Sequence, residues 1–342
     1  MILQLKNIKA SYEDGFIALE DVNVSIDKKS FVVILGSSGS GKTTLFKVIT
    51  GLLDPIEGSV TINGKDVTNL LTESRDIAMI FQNFVLYPHM TIYANVFMAL
   101  NGFDISNEEK DMRAKKILTE FGLRNYLNFK PRHLSDGQKQ RVAMCKALVR
   151  EPSIFLMDEP LSNLDLPQRV RIKQELKEIY ERYNTSFVYI THDLQDALML
   201  ATVVWIMERG RIIQTGTIPE IRENPISLKA FNLVYGGEIN KTKTSVNNTN
   251  VLLYNTTFPT SKNLKNGDYT VAFTYKDAFI SEDGPLEGKV LTQKITPHGI
   301  LTTVTINDED EISFFSEDEA ENELKVGDVI RLQLKLEKLK FF

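Results

Sequence analysis

A glycine-rich loop, GSSGSGKT, occupies residues 36–43 and directly follows the apolar run Phe31–Leu35. A short run of β-branched and aromatic residues predicts a buried strand, and we expect a helix to begin at Lys42. The backbone N–H groups of such a turn, together with the helix N-terminus, form a concave site for oxyanions. The loop therefore predicts a nucleoside triphosphate site, in which Lys42 reaches the β- and γ-phosphates and the Thr43 hydroxyl ligates Mg²⁺.

Bulk composition limits the class of protein. A chain of 342 residues exceeds the usual size of one domain and predicts two. Its 42% hydrophobic and 25% charged residues are typical of a globular protein. The net charge of −5 argues against a general nucleic-acid binder. The single cysteine, Cys145, excludes an internal disulfide framework and is typical of a reducing cytosol.

Residues 1–235 alternate apolar strands with amphipathic helices, which predicts an α/β domain with a largely parallel sheet. A hairpin-like pair of strands is expected around Asn63-Gly64, a strong turn signal. The other predicted strands are Leu3–Ile8, Val22–Ile26, Ile77–Phe81, Ile154–Met157 and Phe187–Ile190. The predicted helices are Asn107–Phe121, Gln138–Arg150 and Gln168–Tyr183, the last from its helical spacing of apolar residues.

Residues 236–342 differ from the preceding residues in composition and in hydrophobic pattern, and they predict a second, all-β domain. The polar stretch Glu238–Asn250 predicts a linker. Short alternating strands follow, and their spacing suggests a small barrel: Val251–Tyr254, Tyr269–Phe273, Lys289–Ile295, Leu301–Ile306 and Val329–Leu336. The acidic run Asp308–Glu323 contains no Lys or Arg and predicts a solvated loop or edge strand, with a regulatory contact as the alternative.

Two adjacent carboxylates end the predicted strand Ile154–Met157. At the end of a parallel strand, Asp158 can hold a water of the Mg²⁺ shell beside Thr43. Glu159 can then face the γ-phosphate and polarise the attacking water. An acidic pair at a strand end is a weak signal alone, but it becomes strong together with the loop at residues 36–43.

A second glycine-containing turn, Leu134–Gln138, also opens a predicted helix and offers a Ser hydroxyl and free amides to an anion. Since one loop already binds the triphosphate, the second site is most directly explained if it caps a γ-phosphate held by another subunit. The alternative is an ordinary helix start capped by Ser135.

These motifs, in this order, resemble the ATP-binding subunits of ABC transporters, specifically the maltose-type importers that carry a C-terminal barrel. Four further residues support the resemblance. Tyr12 matches the aromatic that stacks on adenine, and Gln82 matches the glutamine that contacts Mg²⁺ and the transmembrane partner. Asp165 lies in the segment that links the two halves of the dimer, and His192 matches the switch histidine.

The resemblance implies an α/β fold in which a P-loop ABC ATPase domain with a helical subdomain (residues 1–235) precedes an OB- or TOBE-like barrel (residues 236–342). It implies ATP and Mg²⁺ as ligands, with Lys42, Glu159 and His192 as catalytic residues and Thr43, Gln82 and Asp158 around the metal. The implied nucleotide contacts are Tyr12, Gly36, Ser37, Ser38, Gly39, Ser40, Gly41, Lys42, Thr43, Thr44, Gln82, Ser135, Gly137, Gln138 and Asp165.

The resemblance also implies partners. A second ATPase subunit, in a homodimer or heterodimer, would complete two ATP sites. Two transmembrane permease subunits would contact the region Gln82–Val96, whose apolar segment Tyr87–Val96 has a core role as its alternative. An extracytoplasmic solute-binding protein would act indirectly, no nucleic acid would bind, and the subunit would lie peripherally on the cytoplasmic face of the membrane.

The implied activity is ATP hydrolysis coupled to solute import, most directly of sugars or oligosaccharides. Polyamine, glycerol-phosphate, sulfate and iron import remain open. Two other classes also remain: a soluble ABC ATPase without a transport role, and a regulatory switch that binds ATP without hydrolysing it.

Three positions depart from the family pattern. Asp136 replaces the usual Gly in Leu134–Gln138, and a carboxylate near a γ-phosphate is unfavourable unless it meets a cation, for which Lys139 is a candidate. Thr202-Val203 replaces an acidic–basic pair after His192, where we expect a small effect. The segment Phe273–Asp277 stands where the family carries Arg-Pro-Glu, which leaves regulatory docking open.

Overall fold

The computed structural model describes residues 1–80, 85–161, 166–247, 249–260, 262–297, 299–307, 309–316 and 324–342, without the side chain of Leu166. These residues divide into two compact units, Met1–Ile218 and Pro219–Phe342. The domain division that we predicted after Tyr235 lies inside the second unit and stays a prediction. Within the described residues, no helix combines the length and apolar character that crossing a membrane requires.

The first unit contains ten strands and six helices among its described residues, with a seventh helix beginning at its last residue. The strands are β1 (Leu3–Ser11), β2 (Ile17–Ile26), β3 (Phe31–Leu35), β4 (Glu57–Ile62), β5 (Lys65–Asp66), β6 (Ile77–Ile80), β7 (Ile154–Asp158), β8 (Ser186–Thr191), β9 (Val203–Glu208) and β10 (Arg211–Gly216). The helices are α1 (Lys42–Thr50), α2 (Ile92–Phe97), α3 (Asn107–Glu120), α4 (Asp136–Leu148), α5 (Leu166–Arg182) and α6 (Leu194–Leu200), followed by α7 (Ile218–Glu223).

A six-stranded sheet with the order β10-β9-β3-β8-β7-β6 positions the predicted site. Its strands run parallel except for β10, which pairs antiparallel with β9. Every residue of β3 and β8 is buried, as expected for a parallel sheet covered on both faces. Because the strands are parallel, the carboxyl ends of β3, β7 and β8 meet at one edge, where ligands of such sheets bind.

A second, antiparallel sheet with the order β2-β1-β4-β5 belongs to the same unit. One hydrophobic core contains apolar residues of both sheets and of α1, including Leu5, Ile34, Leu45, Val60 and Trp205. Helix α1 therefore follows the phosphate loop directly into the packed core, and the loop is held at its carboxyl side by buried apolar contacts.

The second unit is all-antiparallel apart from α8 (Leu228–Val234) and the remainder of α7. Its strands are β11 (Ile239–Asn247), β12 (Asn250–Leu253), β13 (Thr256–Pro259), β14 (Gly267–Thr274), β15 (Ala278–Ile280), β16 (Leu286–Thr296), β17 (Gly299–Ile306), β18 (Asp310–Ser316), β19 (Val329–Leu334) and β20 (Lys340–Phe341). They form two five-stranded sheets, β13-β12-β11-β14-β20 and β15-β19-β16-β17-β18, which share one hydrophobic core. The predicted small all-β barrel is confirmed in this form.

The prediction of a linker over Glu238–Asn250 is wrong. Residues Ile239–Asn247 form β11, the central strand of its sheet, between β12 and β14. Its inward-facing polar side chains are satisfied by hydrogen bonds: Asn240 donates to the carbonyl of Ser313 (2.8 Å) and accepts from its N–H (2.8 Å), and Thr244 donates to the carbonyl of Leu252 (2.6 Å). A polar strand of this kind has the composition of a loop, so composition misled the prediction.

The acidic run is confirmed as an edge strand over its described part. Residues Asp310–Ser316 form β18, which pairs only with β17 among the described strands and ends its sheet. Charged residues on such a strand discourage pairing with other chains. Asp308 and residues 317–323 of the run lie outside the described residues.

Candidate functional site: a phosphate loop at the edge of a parallel sheet

The loop at residues 36–41 needs its glycines at two points. A Cβ on Gly36 would lie 2.5 Å from the carbonyl oxygen of Met207. Gly41 has φ +103°, and a Cβ there would lie 2.9 Å from the carbonyl oxygen of Ala18. Both positions are closed to a side chain by neighbouring backbone, and Gly41 also adopts a left-handed conformation that favours glycine. The loop backbone therefore lies bare at the point where helix α1 begins.

Lys42 lies across this loop. The residue is 6% exposed, and its Nζ donates to the carbonyl oxygens of Gly36 (2.9 Å) and Ser37 (3.0 Å). Burial lowers the pKa of the Lys42 ammonium, while the negative charges of Glu159 and Asp158 act in the opposite direction. The lysine is thus held as a partly desolvated cation between the loop and two carboxylates, a place that suits an anion with several charges.

The rest of the loop offers both an orphaned donor and open surface. The buried Ser40 Oγ has no hydrogen-bond partner in the described part of the chain. Ser37, Ser38 and Gly39 are exposed, and the Thr43 side chain at the start of α1 is exposed as well. These are the properties of a cradle that a phosphate group fills, because its oxygens accept from both backbone and hydroxyl donors.

Two carboxylates follow β7 at the same edge of the sheet. Asp158 is half-buried, and burial raises the pKa of its carboxyl, as does the neighbouring charge of Glu159. Glu159 has φ 42°, and its N–H donates to the carbonyl of Ile190 on β8 (3.1 Å). Because a glutamate in this conformation is strained, the bond to β8 holds the residue at a defined turn of the backbone.

His192 follows β8 and meets Glu159. Its Nδ1 lies 3.2 Å from Oε1 of Glu159. The histidine side chain is 65% exposed and that of Glu159 30%. The structure therefore brings Lys42, Asp158, Glu159 and His192 to one sheet edge, as the sequence predicted, and leaves the imidazole open to a ligand.

The residues at this sheet edge supply part of a coordination shell for Mg²⁺. Within the described ranges no group of three or more His, Cys, Asp or Glu side chains could hold a metal on its own. Mg²⁺ in phosphate-transfer sites is commonly bound by one or two protein oxygens, with phosphates and waters supplying the rest. The exposed Thr43 hydroxyl and the Asp158 carboxylate, whose charge is incompletely compensated, suit that minimal set.

Tyr12, predicted to stack on adenine, lies against α1. Its hydroxyl and Oγ1 of Thr44 are 2.9 Å apart, and Nζ of Lys47 lies 5.2 Å from the centre of its ring. The ring is therefore fixed beside the helix that begins at the phosphate loop. Gln82 and Asp165, the other two residues of the resemblance, lie outside the described residues.

The segment Leu134–Gln138 starts α4 with a capping box. Oγ of Ser135 accepts from the N–H of Gln138 (3.3 Å), and Oε1 of Gln138 accepts from the N–H of Ser135 (3.0 Å). The ordinary reading of this motif, a Ser-capped helix start, is therefore correct for the single chain. Ser135 and Asp136 are exposed beside a groove of about 790 Å³ that Arg141 and Arg171 also line.

Asp136 meets the cation that we expected. Nζ of Lys139 lies 2.9 Å from Oδ1 of Asp136, one helical turn away. The Asp136 side chain is 75% exposed and that of Lys139 34%, so the pair contributes little to the stability of the fold. Its effect is on local charge at the N-terminus of α4.

The segment Tyr87–Val96 serves partly as core. Ile92 and Val96 are buried, and the buried Asn95 side chain bonds the backbone of Tyr87 (2.7 and 3.1 Å). Val85 just before it is 64% exposed. The core interpretation therefore holds for Ile92, Asn95 and Val96, while docking of a permease on this segment stays a prediction.

Two buried ionic features escaped the sequence analysis. Arg75 is 2% exposed and donates to two carbonyls at the end of α1, those of Val48 and Ile49, and to those of Thr68 and Leu70. Lys173 forms a buried ion pair with Asp196. No local signal marks either feature, because each depends on elements that are distant in the chain.

Comparison with known proteins agrees with this geometry. The sequence profile of the ABC transporter family matches residues 19–162. The chain is 41% identical over 223 residues to the oligosaccharides import ATP-binding protein MsmX of Bacillus subtilis, covering 65% of this chain and 61% of that protein. It is 37% identical over 289 residues to the sn-glycerol-3-phosphate import ATP-binding protein UgpC 2 of Agrobacterium fabrum, covering 83% and 77%.

Solved structures show the same fold. One is cbiO1 from Clostridium perfringens, part of the ABC transporter complex cbiONQ, with a TM-score of 0.59, 27% identity, and coverage of 66% of this chain and 95% of that chain. Another is the ATP-binding cassette MJ0796, a dimer bound to ADP and Pi, with a TM-score of 0.55, 33% identity and coverage of 63% and 98%.

The match spans 61% of MsmX and 63% of the next relative, YcjV of Escherichia coli, but more than three quarters of UgpC 2. That last match extends beyond the first unit. The chain therefore belongs to the family of ABC transporter ATP-binding proteins, in the maltose-type importer group that its motifs resemble.

Proposed function

We propose that this protein is the ATP-binding and ATP-hydrolysing subunit of an ABC importer. The observation that carries the proposal is the pair Glu159–His192 at the sheet edge where Lys42 crosses the phosphate loop. A carboxylate, an imidazole and a buried ammonium beside a bare backbone loop are the groups that phosphoryl transfer to water uses.

Binding depends on donors already in place. The loop amides at residues 36–41, the Ser40 hydroxyl and the Lys42 ammonium point to one phosphate chain, and Tyr12 supplies an aromatic face for the base. When ATP binds, Lys42 exchanges its two loop carbonyls for phosphate oxygens. The exchange is favourable because the ammonium is partly desolvated and an anion compensates its charge better than carbonyls do.

Thr43 and Asp158 would hold Mg²⁺, with Gln82 as a further predicted ligand. The ion, when bound, neutralises charge on the β- and γ-phosphates. Asp158 suits this role because burial and the charge of Glu159 both disfavour its bare carboxylate, so a nearby cation lowers its energy.

Hydrolysis needs a group that takes a proton from water and a group that steadies the γ-phosphate. Glu159 is the proposed base, and general-base assistance contributes roughly 10²–10⁴-fold in rate. His192 is the proposed donor to the γ-phosphate. Their 3.2 Å contact would keep the proposed base and the proposed donor on the same side of the phosphate.

A second copy of the subunit would complete each ATP site. Ser135, Gly137 and Gln138 at the start of α4 would contact the γ-phosphate from across the interface, and Asp165 is the predicted link between the halves. This chain offers an exposed capped helix start rather than a second buried site, which supports the assignment. One solved relative is described as dimeric and bound to ADP and Pi.

Sugars or oligosaccharides are the proposed cargo, because one relative is named for oligosaccharide import. Relatives named for sn-glycerol-3-phosphate import favour that solute as the alternative. Two permease subunits would dock on the region Gln82–Val96, whose apolar edge includes the exposed Val85 and Tyr87. The subunit would lie on the cytoplasmic face of the membrane, with a solute-binding protein acting through the permease.

Phosphate release from ATP and Mg²⁺ by the purified chain tests the proposal. We expect release from the wild-type protein, a loss of about 10²-fold or more for Lys42→Ala, and no change for the exposed control Lys65→Ala. Absence of hydrolysis in the wild type, with and without co-expressed permease, would leave an ATP-binding switch as the better account. Co-purification with RNA instead of integral membrane proteins would favour a soluble ABC ATPase.

A further inference from the structure

A buried ionic network lies directly behind His192. Lys173 on α5 and Asp196 on α6 are 5% and 4% exposed, and Thr191 at the end of β8 is 4% exposed. Asp193 caps α6 by accepting from the N–H of Gln195 (2.8 Å). We refer to Lys173, Thr191, Asp193 and Asp196 as the α5–α6 network.

The bonds of this network converge on the residues that flank His192. Oγ1 of Thr191 donates to Oδ2 of Asp196 (2.7 Å) and accepts from the N–H of Asp193 (3.0 Å). Nζ of Lys173 forms an ion pair with Oδ1 of Asp196 and lies 3.7 Å from Oδ2 of Asp193. The residue before His192 and the residue after it are therefore both fixed to α5 and α6.

His192 itself has no such anchoring. Its side chain is 65% exposed, and within the described residues its ring meets Oε1 of Glu159 at 3.2 Å. A ring on the surface can point at a phosphate only if its backbone is held, because misplacement by about 1 Å can reduce a rate by about 10²-fold. The network supplies that hold from the buried side.

Net stability is a poor explanation for the network. The desolvation of two buried ions offsets most of their attraction, and a well-packed apolar pair in their place is often neutral or stabilising. Fixed hydrogen-bond geometry at Thr191 and Asp193 is what an apolar pair would not reproduce. The charged pair therefore contributes mainly by fixing the directions of the hydrogen bonds at Thr191 and Asp193.

We propose that Lys173 and Asp196 are positioning residues that set the place of His192 for contact with the γ-phosphate. The proposal rests on the proposed function of His192. It adds that helix α5, which begins at Leu166, is tied to the histidine through a buried charge pair rather than through loose packing.

The first test separates an effect on the position of His192 from an effect on the stability of the fold. The double variant Lys173→Met/Asp196→Leu replaces the ion pair by apolar side chains, while Lys173→Arg keeps the charge. We expect the double variant to fold, with a lower melting temperature because the buried hydroxyls of Thr191 and Tyr189 lose their acceptor on Asp196. Its KM for ATP should stay within about twofold of wild type, and its kcat should fall by about 10²-fold. Lys173→Arg, which keeps the charge, should retain most of the wild-type kcat. Wild-type kcat in a folded double variant would overturn the proposal.

The second test uses single hydroxyls, in case the double variant does not fold. Thr191→Val and Tyr189→Phe each remove one hydrogen bond to Oδ2 of Asp196, of 2.7 and 3.2 Å. Thr191 also accepts from Asp193 beside His192, whereas Tyr189 does not bond to the residues that flank the histidine. We expect Thr191→Val to lower kcat and Tyr189→Phe to leave it unchanged. Equal effects would indicate a purely structural role.

A first readout shows whether the network acts through His192. In a His192→Ala background, the double variant should lower kcat no further, because residues that act through one group are not additive. An additional loss there would contradict the proposal.

Proton–carbon NMR needs no hydrolysis and therefore tests position even if the proposed function fails. The chain has four histidines, and His192→Ala identifies the signal of His192. We expect the ring signal of His192 to shift in the double variant and in Thr191→Val, while the other three stay in place. An unmoved His192 signal would overturn the proposal whatever the ATPase result.

Discussion

Oε1 of Glu159 lies 3.2 Å from Nδ1 of His192, although the two residues are 33 positions apart and follow different strands. Register between β7 and β8 creates this contact, because Asp158 pairs with Ile190 at the ends of two parallel strands. The next residues of both strands then share one edge of the sheet. The contact places the proposed base, Glu159, beside the proposed donor, His192.

Replacement of the base should separate binding from turnover. Glu159→Gln keeps the shape of the side chain but cannot take a proton, so we expect ATP affinity within a few-fold of wild type and phosphate release lower by about 10²–10⁴-fold. Equilibrium binding of a fluorescent ATP analogue and a phosphate-release assay measure the two quantities. Wild-type release from this variant would refute Glu159 as the base.

The pair Asp136–Lys139 gives a charge-specific prediction. Lys139→Ala leaves a carboxylate beside the incoming triphosphate, and such repulsion is worth about 1–4 kcal/mol at 4 Å between water and the protein surface. We expect turnover to fall by about tenfold or more, and Asp136→Gly in the same background to restore it. Phosphate release and ATP affinity of the single chain should be measured together, because the affinity should not change.

A double variant that stays as slow as Lys139→Ala would show that Lys139 acts by another route. Asp136→Gly alone is the matched control, and it should hydrolyse ATP at least as fast as the wild type.

Arg75 should stabilise the first unit. Its guanidinium donates to the carbonyls of Val48 and Ile49 at the end of α1 (both 2.8 Å), and burial lowers its pKa. Arg75→Met removes this donor from Ile49 and leaves the Val48 carbonyl with the N–H of Gly51 (3.2 Å). We expect a loss of about 3 kcal/mol in the free energy of unfolding.

Urea unfolding followed by fluorescence measures this loss, because the single tryptophan, Trp205, is 1% exposed in the core of the same unit. Arg211→Met is the control, since its ion pair with Glu20 is half-exposed and should contribute at most about 1 kcal/mol. An equal change in both variants would contradict the role of Arg75.

Removal of Mg²⁺ by a chelator should stop phosphate release, and added Mg²⁺ should restore it. If Asp158 holds a water of the metal shell, Asp158→Asn should raise the Mg²⁺ concentration for half-maximal rate by about 10–100-fold. A titration of Mg²⁺ at saturating ATP measures this. An unchanged midpoint would exclude Asp158 from the metal shell.

The parts of the fold that local pattern determines were predicted well. The apolar run Phe31–Leu35 forms β3, and α1 begins at Lys42 as expected. Composition failed at β11, where threonine and asparagine side chains satisfy their hydrogen bonds inside a sheet and so imitate a linker. Arg75 and the Lys173–Asp196 pair were missed because their partners are brought together only by tertiary packing.

The residues that meet at the sheet edge could be proposed from the sequence because phosphate chemistry requires particular groups at particular turns, and their roles stay predictions. The contact between Glu159 and His192 required the strand order, which sequence spacing alone does not give. The cation beside Asp136 could be predicted because Lys139 lies one helical turn away and the two side chains share a face.

The mass of the Glu159→Gln variant with saturating ATP and Mg²⁺, measured by light scattering, tests the central claim most directly. The proposed shared site predicts twice the 38.8 kDa of one chain with ATP, the monomer without nucleotide, and the monomer again for Glu159→Gln combined with Ser135→Arg. A variant that binds ATP to saturation yet stays at the mass of one chain would contradict the claim that two copies complete each site.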